Sequence, residues 1–304
     1  MRIVIALGGN ALGIEPQEQK KNAQITAKLL LPIIEAGHEV IITHGNGPQV
    51  GLINLAFTEG RKVNDKVYEM GFSECGAMSQ GYIGYHLCNA LTNEAIKNKS
   101  SKKFATLVTH ILVDKNDPAF LNPTKPIGGF YTYEESLKMP YPMKEDSGRG
   151  YRRVIASPKP VDIIEQDEID SLISNGYTVI CCGGGGIPVV KENGLYQGID
   201  AVIDKDFASS KLASKINADM LVILTAVKNA CINFNTPNQV SLGKITTKEI
   251  KKYLDNNEFK AGSMKPKVEA CLEFVTNKNR KAVITDIESA SEAINGTVGT
   301  IIEY

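Results

Sequence analysis

The chain lacks an excess of charge of either sign: 34 lysines and arginines stand against 34 aspartates and glutamates in 304 residues. A surface that gathers nucleic acid through net charge alone is thereby excluded, although a local basic site is not. No apolar run approaches the ~20 residues of a membrane-spanning helix, so no membrane partner is expected. The opening Met1-Arg2-Ile3-Val4-Ile5-Ala6-Leu7 has the look of an export signal, but its apolar stretch is short and runs into Gly8-Gly9-Asn10. It reads as a first β-strand. The six cysteines form no CxxC pair and no metal-ligand spacing. Cys181 and Cys182 close an apolar run and read as small strand residues. Free thiols without an export signal point to the cytoplasm.

Catalytic motifs are missing too. The strand-end glycines are never followed by the Gly-Lys-Ser/Thr of a P-loop, and HExxH is absent. So are the protein-kinase HRD and DFG motifs and a GxSxG elbow. The four histidines, His38, His44, His86 and His110, are scattered and read as structural. No internal repeat or low-complexity tract is visible.

What is present is the composition of a soluble globular protein, 42% hydrophobic and 22% charged. Its length suits one large domain or two lobes. Short β-branched runs alternate with longer helical patterns, the signature of an α/β fold with a parallel or mixed sheet covered by helices. Strands are expected at 2–7, 39–43, 104–109, 177–181, 220–224, 229–233, 281–285 and 298–302. Helices are expected near 17–36, 72–97, 165–175, 206–216, 246–255 and 263–277. Gly37 offers a left-handed C-cap to the first helix, and Pro32 should kink or break it. Residues 114–158 interrupt this rhythm with Pro118, Pro123, Pro126, Pro140, Pro142 and Pro158. A segment that long is a lid or inserted subdomain more often than a plain loop.

Three strand ends run into glycine-rich turns: Gly8-Gly9-Asn10, Gly45-Asn46-Gly47 and Gly183-Gly184-Gly185-Gly186. Ligands of open α/β sheets bind beyond the carboxyl ends of the strands, so the turns suggest one site built from several loops. Gly45-Asn46-Gly47-Pro48-Gln49-Val50-Gly51 opens a helix, where backbone N–H groups and the dipole favour an anion. The same spacing also fits a plain tight turn. Asp204-Lys205-Asp206 reads as an N-cap followed by a first-turn acid, but Lys205 opposes the helix dipole. Lys265 and Lys267 crowd the start of another helix, with Ser263 as N-cap and Pro266 tolerated in the first turn. Each such cation costs on the order of 0.3–1 kcal/mol unless something offsets it, and an anionic ligand would reverse the sign. Broken local rules of this kind are where functional sites are expected. Lys125 stands between Pro123 and Pro126, and residues before proline are pushed toward extended geometry. It is either a ligand on a stiff arm or an exposed loop lysine.

Taken together, these segments resemble the carbamate kinases of the amino-acid-kinase superfamily. The resemblance rests on Ala6-Leu7-Gly8-Gly9-Asn10-Ala11, Thr43-His44-Gly45-Asn46-Gly47-Pro48-Gln49-Val50-Gly51 and Asn122-Pro123-Thr124-Lys125-Pro126-Ile127-Gly128. It continues through Lys144-Glu145-Asp146-Ser147-Gly148-Arg149-Gly150, Ser157-Pro158-Lys159-Pro160, and Cys182-Gly183-Gly184-Gly185-Gly186-Ile187-Pro188-Val189. Val202-Ile203-Asp204-Lys205-Asp206-Phe207-Ala208-Ser209 and Gly262-Ser263-Met264 through Pro266-Lys267 complete it.

The resemblance implies an open αβα sandwich with a mostly parallel central sheet and a small inserted protruding subdomain. It implies phosphoryl transfer between carbamoyl phosphate and ADP, giving ATP and carbamate, with Mg²⁺ held by nucleotide phosphates and water, and no metal ligand from the chain. It implies a homodimer, and a place in ATP-yielding catabolism of arginine or related nitrogen compounds. Residues 1–212 would form the phosphoryl-binding lobe, carrying the lid 114–158, and residues 213–304 the nucleotide-binding lobe. Gly8, Gly9, Asn10, Gly45, Asn46 and Gly47 would cradle the phosphoryl group. Lys205 and Lys267 would balance its charge, Asp206 would orient both, and Lys125 would reach over the carbamoyl side. Ala208, Thr225, Val227, Met264 and Lys267 would hold the nucleotide. Lys228 and Lys265 depart from the familiar pattern, and Lys265 is expected to point to solvent. The alternatives are a kinase of the same fold acting on another small acid or UMP, a silent relative, or an NAD-dependent dehydrogenase. The last would need Asp65 or Glu69 to bind a ribose at a strand end.

Overall fold

The computed structural model describes residues 1–9, 12–13, 15–146 and 148–304. Its framework is an eight-stranded sheet made of β1 (Arg2–Leu7), β2 (Glu39–His44), β3 (Lys103–Thr106), β9 (Tyr177–Ile180), β12 (Met220–Leu224), β15 (Lys244–Thr246), β16 (Lys281–Thr285) and β17 (Thr300–Glu303). The strand order is β15-β17-β16-β12-β1-β2-β9-β3. All neighbours pair in parallel except β16 and β17. The central strands are apolar without alternation because both faces are covered. Val4 and Ala6 pack toward α5 (Gln166–Ser174), α6 (Lys205–Lys215) and α8 (Met264–Phe274). Ile3, Ile5 and Leu7 pack toward α1 (Pro16–Glu35), α3 (Phe72–Lys97) and α9 (Ala290–Ile294). The expected αβα sandwich is the architecture observed.

Parallel pairing puts the carboxyl ends of β1, β2, β9 and β12 on one edge. The three glycine-rich turns therefore leave the sheet side by side. From the second turn rises α2 (Gly47–Val63).

Several expectations need correction. The run 104–109 is not one strand: β3 stops at Thr106, and the chain crosses to β4 (His110–Val113) in a second sheet. The buried Thr109 makes this crossing, exchanging hydrogen bonds of 3.0 and 3.1 Å with the Gln80 side chain. That second sheet, ordered β11-β10-β4-β8, adds β8 (Pro160–Ile163), β10 (Ile187–Glu192) and β11 (Leu195–Gly198). The 229–233 segment contributes only β13 (Cys231–Ile232), a two-residue partner of β14 (Val240–Ser241) away from the main sheet. Left-handed Asn233 and Asn235 turn the chain there. Cys181 and Cys182 lie beyond the end of β9, and Cys182 adopts φ 49°, so neither is a strand residue. Pro32 does not break α1. It falls in the last turn, where burial of Ile33 and Ile34 holds the helical course to Glu35, and Gly37 follows at φ 85°. Helix α7 (Thr247–Asp255) begins with a full capping box from Thr246 and Glu249.

Within 114–158 the chain forms a three-stranded sheet of β5 (Lys125–Tyr131), β6 (Met143–Glu145) and β7 (Tyr151–Ile155), with the short α4 (Tyr133–Ser136). This sheet is seated on α2 by a close backbone approach at Gly51, beside the Arg153 Nη1 to Asn54 Oδ1 hydrogen bond of 2.9 Å. A Cβ at Gly51 would lie 2.2 Å from both Cα and N of Gly128. No side chain fits there. Gly51→Ala should therefore push the insert off α2, at a cost of about 1–3 kcal/mol. Urea unfolding and limited proteolysis of 114–158 check this: the variant should be cleaved faster in the insert while the rest of the chain stays resistant.

Candidate active site

A cavity of about 600 Å³ opens where the glycine turns leave the sheet. Gly9 comes from the first turn, Gly45, Asn46 and Gly47 from the second, and Gly184 from the third. Lys205 and Asp206 enter at the start of α6, Lys267 from α8 and Lys125 from β5. The structure thus brings together lysines from three distant segments. Asn10 lies outside the described residues.

Asn46 in the second turn is tied to α3 rather than to the helix it precedes. Asn46 precedes α2 but makes no cap to it; its Nδ2 donates instead to Ser79 Oγ at 2.8 Å. The first-turn N–H groups of α2 are thus not capped by Asn46, and they carry the positive end of the dipole. Gly184 supplies the clearance. It has φ 65°, and a Cβ there would sit 2.0 Å from Asn46 Nδ2.

The charges form a linked set. Lys205 Nζ lies 2.6 Å from Asp206 Oδ1, and Lys267 Nζ lies 2.8 Å from Asp206 Oδ2. Asp206 is only 3% exposed. Burial would raise its carboxyl, but the two ammonium groups outweigh burial and hold it far below the usual carboxylate range. Burial pushes the Lys205 ammonium down, because the charge of Lys267 adds to desolvation and Asp206 only partly compensates. Lys267 faces the same burial, but its attraction to Asp206 prevails and raises it. One carboxylate against two cations leaves positive charge on largely buried side chains at the cavity wall. The dipole conflicts noted for Lys205 and Lys267 are thus met partly by Asp206.

Asp204 has a second task that its N-cap signature does not reveal. Its Oδ1 accepts from the Asp206 N–H at 2.9 Å, and its Oδ2 receives Lys125 Nζ at 2.5 Å. Ser263, in contrast, precedes α8 without making the expected cap. Lys265 is half-buried and does not line the cavity.

Arg149 and Arg152 also line the cavity, and sequence reasoning gave neither a role. Both hold Asp146 Oδ2 at 3.0 Å, and both stack over Phe130. Arg152 donates as well to Gly128 O through Nε and Nη2. The only sequence signal was two arginines soon after an acid in the insert.

Gly8, Ala208, Thr225, Val227 and Met264 are not part of the cavity wall. Gly8 is pressed against β12: its Cβ would lie 2.6 Å from Leu224 O and 3.6 Å from Thr225 Cα. Thr225 is half-buried, Val227 is exposed in the loop after β12, Met264 packs against the core and Ala208 is wholly buried in α6. Asp65 and Glu69 follow a helix rather than a strand, which removes the ribose-binding geometry of a dinucleotide fold.

The family model described as the amino acid kinase family matches residues 1–286, and the chain belongs to that family. Carbamate kinases are among its relatives over the full length. The carbamate kinase-like protein YqeA of Escherichia coli is 50% identical over 99% of this chain and 98% of its own. The carbamate kinase of Clostridium perfringens is 49% identical over 99% of each. A solved structure of carbamate kinase from Giardia lamblia bound to AMP-PNP has a TM-score of 0.91 at 44% identity, covering 99% of this chain and 98% of that one.

His44 ends β2 beneath this loop cluster, with Nδ1 2.9 Å from Gly45 O. Burial, reinforced by the charge of Lys205, lowers its pKa to about 4. The unfolded chain therefore binds a proton that the folded chain refuses between pH 6.5 and 4. Stability should fall on acidification through that window, by up to roughly 3 kcal/mol from this one group. Urea unfolding at pH 7 and pH 4.5 checks this, and His44→Gln should lose less on acidification than the wild type.

Proposed function

We propose that the protein transfers a phosphoryl group reversibly between carbamoyl phosphate and ADP, giving ATP and carbamate. The observation that carries this reading is the convergence of Lys125, Lys205 and Lys267 on one glycine-floored cavity. It is supported by half-identity over the full length to carbamate kinases.

Phosphoryl transfer needs alignment and charge stabilisation more than covalent help. A β-phosphate oxygen of ADP attacks phosphorus, the bond from phosphorus to the carbamoyl oxygen breaks, and carbamate leaves with that electron pair. Both the attacking and the leaving oxygens are anionic, so no general base is required. Lys205 and Lys267 lie on one carboxylate and would stabilise the two oxygens as charge shifts from one to the other. Asp206 fixes their separation without itself reacting. Gly9 and Gly47 would present backbone N–H groups to the phosphoryl oxygens, with Gly45, its N–H bonded to Leu7 O, allowing close approach and Gly8 fixing the first turn against β12. Asn10 and Asn46 complete the proposed cradle. Lys125 would reach the carbamoyl side from the insert, exchanging Asp204 for the substrate.

The nucleotide would lie against Thr225, Val227, Met264 and Lys267, with the wholly buried Ala208 able only to back them from within α6, and with 213–304 as the nucleotide lobe, 1–212 as the phosphoryl lobe and 114–158 as its lid. Both cavity carboxylates engaged by lysines, Asp204 and Asp206, are committed already. This suits a Mg²⁺ that arrives with nucleotide phosphates and water, where it would neutralise their charge. A homodimer in the cytoplasm, serving ATP-yielding catabolism of arginine or related nitrogen compounds, completes the proposal.

The test is ATP formation from ADP and carbamoyl phosphate with Mg²⁺, run beside acetyl phosphate and without metal. Rapid, metal-dependent synthesis preferring carbamoyl phosphate is expected. Lys205→Ala or Lys267→Ala should each lower turnover by about 10³-fold or more; wild-type turnover in both variants overturns their roles. Lys125→Ala should raise the KM for carbamoyl phosphate more than that for ADP, and equal effects on both would place Lys125 elsewhere.

A further inference from the structure

Among the described residues, four buried side-chain atoms have no hydrogen-bond partner: His38 Nδ1, Gln49 Oε1, His86 Nε2 and Thr285 Oγ1. Only Gln49 belongs to the wall of the main cavity. It lies in the first turn of α2, three residues after Asn46, and is 4% exposed. Its Nε2 donates to Gly13 O at 2.8 Å. That bond fixes the amide, because reversing it would set oxygen against a carbonyl that can only accept. The free group is therefore an acceptor. A buried amide oxygen without a partner costs about 1–3 kcal/mol, and among the described residues nothing offsets this one.

The rest of the cavity is rich in donors. Three ammonium groups and the amino end of α2 border it, and the oxygens of Asp206 already accept from lysines. These groups suit phosphate. They do not suit an amino group, which needs an acceptor. Carbamoyl phosphate differs from acetyl phosphate in carrying NH₂ where the other has a methyl group.

We propose that Gln49 is the specificity-determining residue for the carbamoyl group, its Oε1 accepting a hydrogen bond from the substrate NH₂. The inference rests on the carbamoyl phosphate reading above. Acetyl phosphate would leave the Gln49 oxygen unpaired, and a site built to bond an N–H rejects the analogue that lacks it.

Two stable analogues separate this role from catalysis. Phosphonoacetamide carries the amide NH₂, and acetonylphosphonate carries a methyl group in its place. By calorimetry the wild type should bind phosphonoacetamide more than about 10-fold tighter. Gln49→Met, of similar length without an acceptor oxygen, should weaken phosphonoacetamide by about 10- to 100-fold and acetonylphosphonate far less. The kcat/KM for carbamoyl phosphate should fall in step, with the KM for ADP unchanged. Equal loss of both analogues would make Gln49 a structural tie to Gly13 and overturn the proposal. So would a wild type that does not distinguish the analogues, a result that needs no variant to fold. A wild type that binds neither and forms no ATP from carbamoyl phosphate defeats the function itself. A wild type that forms ATP while Gln49→Met keeps the preference defeats only the role of Gln49.

Discussion

Everything in the site depends on a largely buried carboxylate held between two largely buried ammonium groups. Removing either lysine would leave Asp206 with half its compensation, and removing Asp206 would leave two cations repelling at close range. Buried charges of this kind are costly unless paired and hydrogen-bonded. Here the pairing is achieved by segments 61 residues apart in sequence. The ends of α6 and α8 are thus fastened to each other through the atoms that face the ligand. Stability and charge placement are the same interaction.

Around this centre the fold supplies directions rather than chemistry. A parallel sheet sends its glycine turns out along one edge, and the first turns of α2, α6 and α8 line the space beyond. The fields of those helix ends and the surplus lysine charge all have one sign. Such a cavity is matched to an anion and mismatched to a neutral or cationic ligand. The insert contributes the third lysine together with the Arg149 and Arg152 pair anchored on Asp146, so the same polarity is presented from both sides.

The sheet was readable in the sequence because strands buried on both faces cannot hide: Ile3 to Leu7, Val40 to Ile42 and Leu221 to Leu224 are apolar without interruption. The lysines at 205 and 267 were readable because each violates the preference of a helix start, and a violation asks for a reason. Less was legible where the signal is short or three-dimensional. His110–Val113 is hidden because it follows β3 after only three residues, so two short strands of different sheets read as one run. The second oxygen of Asp204 is invisible behind a satisfactory capping role. Ser263 shows the opposite failure, a good cap by type whose backbone turns the wrong way to make one. Gln49 carried no local signal at all, since an acceptor without a donor becomes apparent only when its neighbours are in place.

The two oxygens of Asp204 bind separate parts of the molecule into one constraint. One oxygen sets where α6 begins, and with it Lys205 and Asp206; the other sets where Lys125 waits. No residue lacking two acceptors of that reach could serve both purposes. The position is consequently closed to gradual adjustment: a change that retunes the reach of the insert also moves the start of the helix. Variation in how tightly the lid engages its substrate must then come from the insert's own sheet and its seat on α2, not from the residue that Lys125 touches.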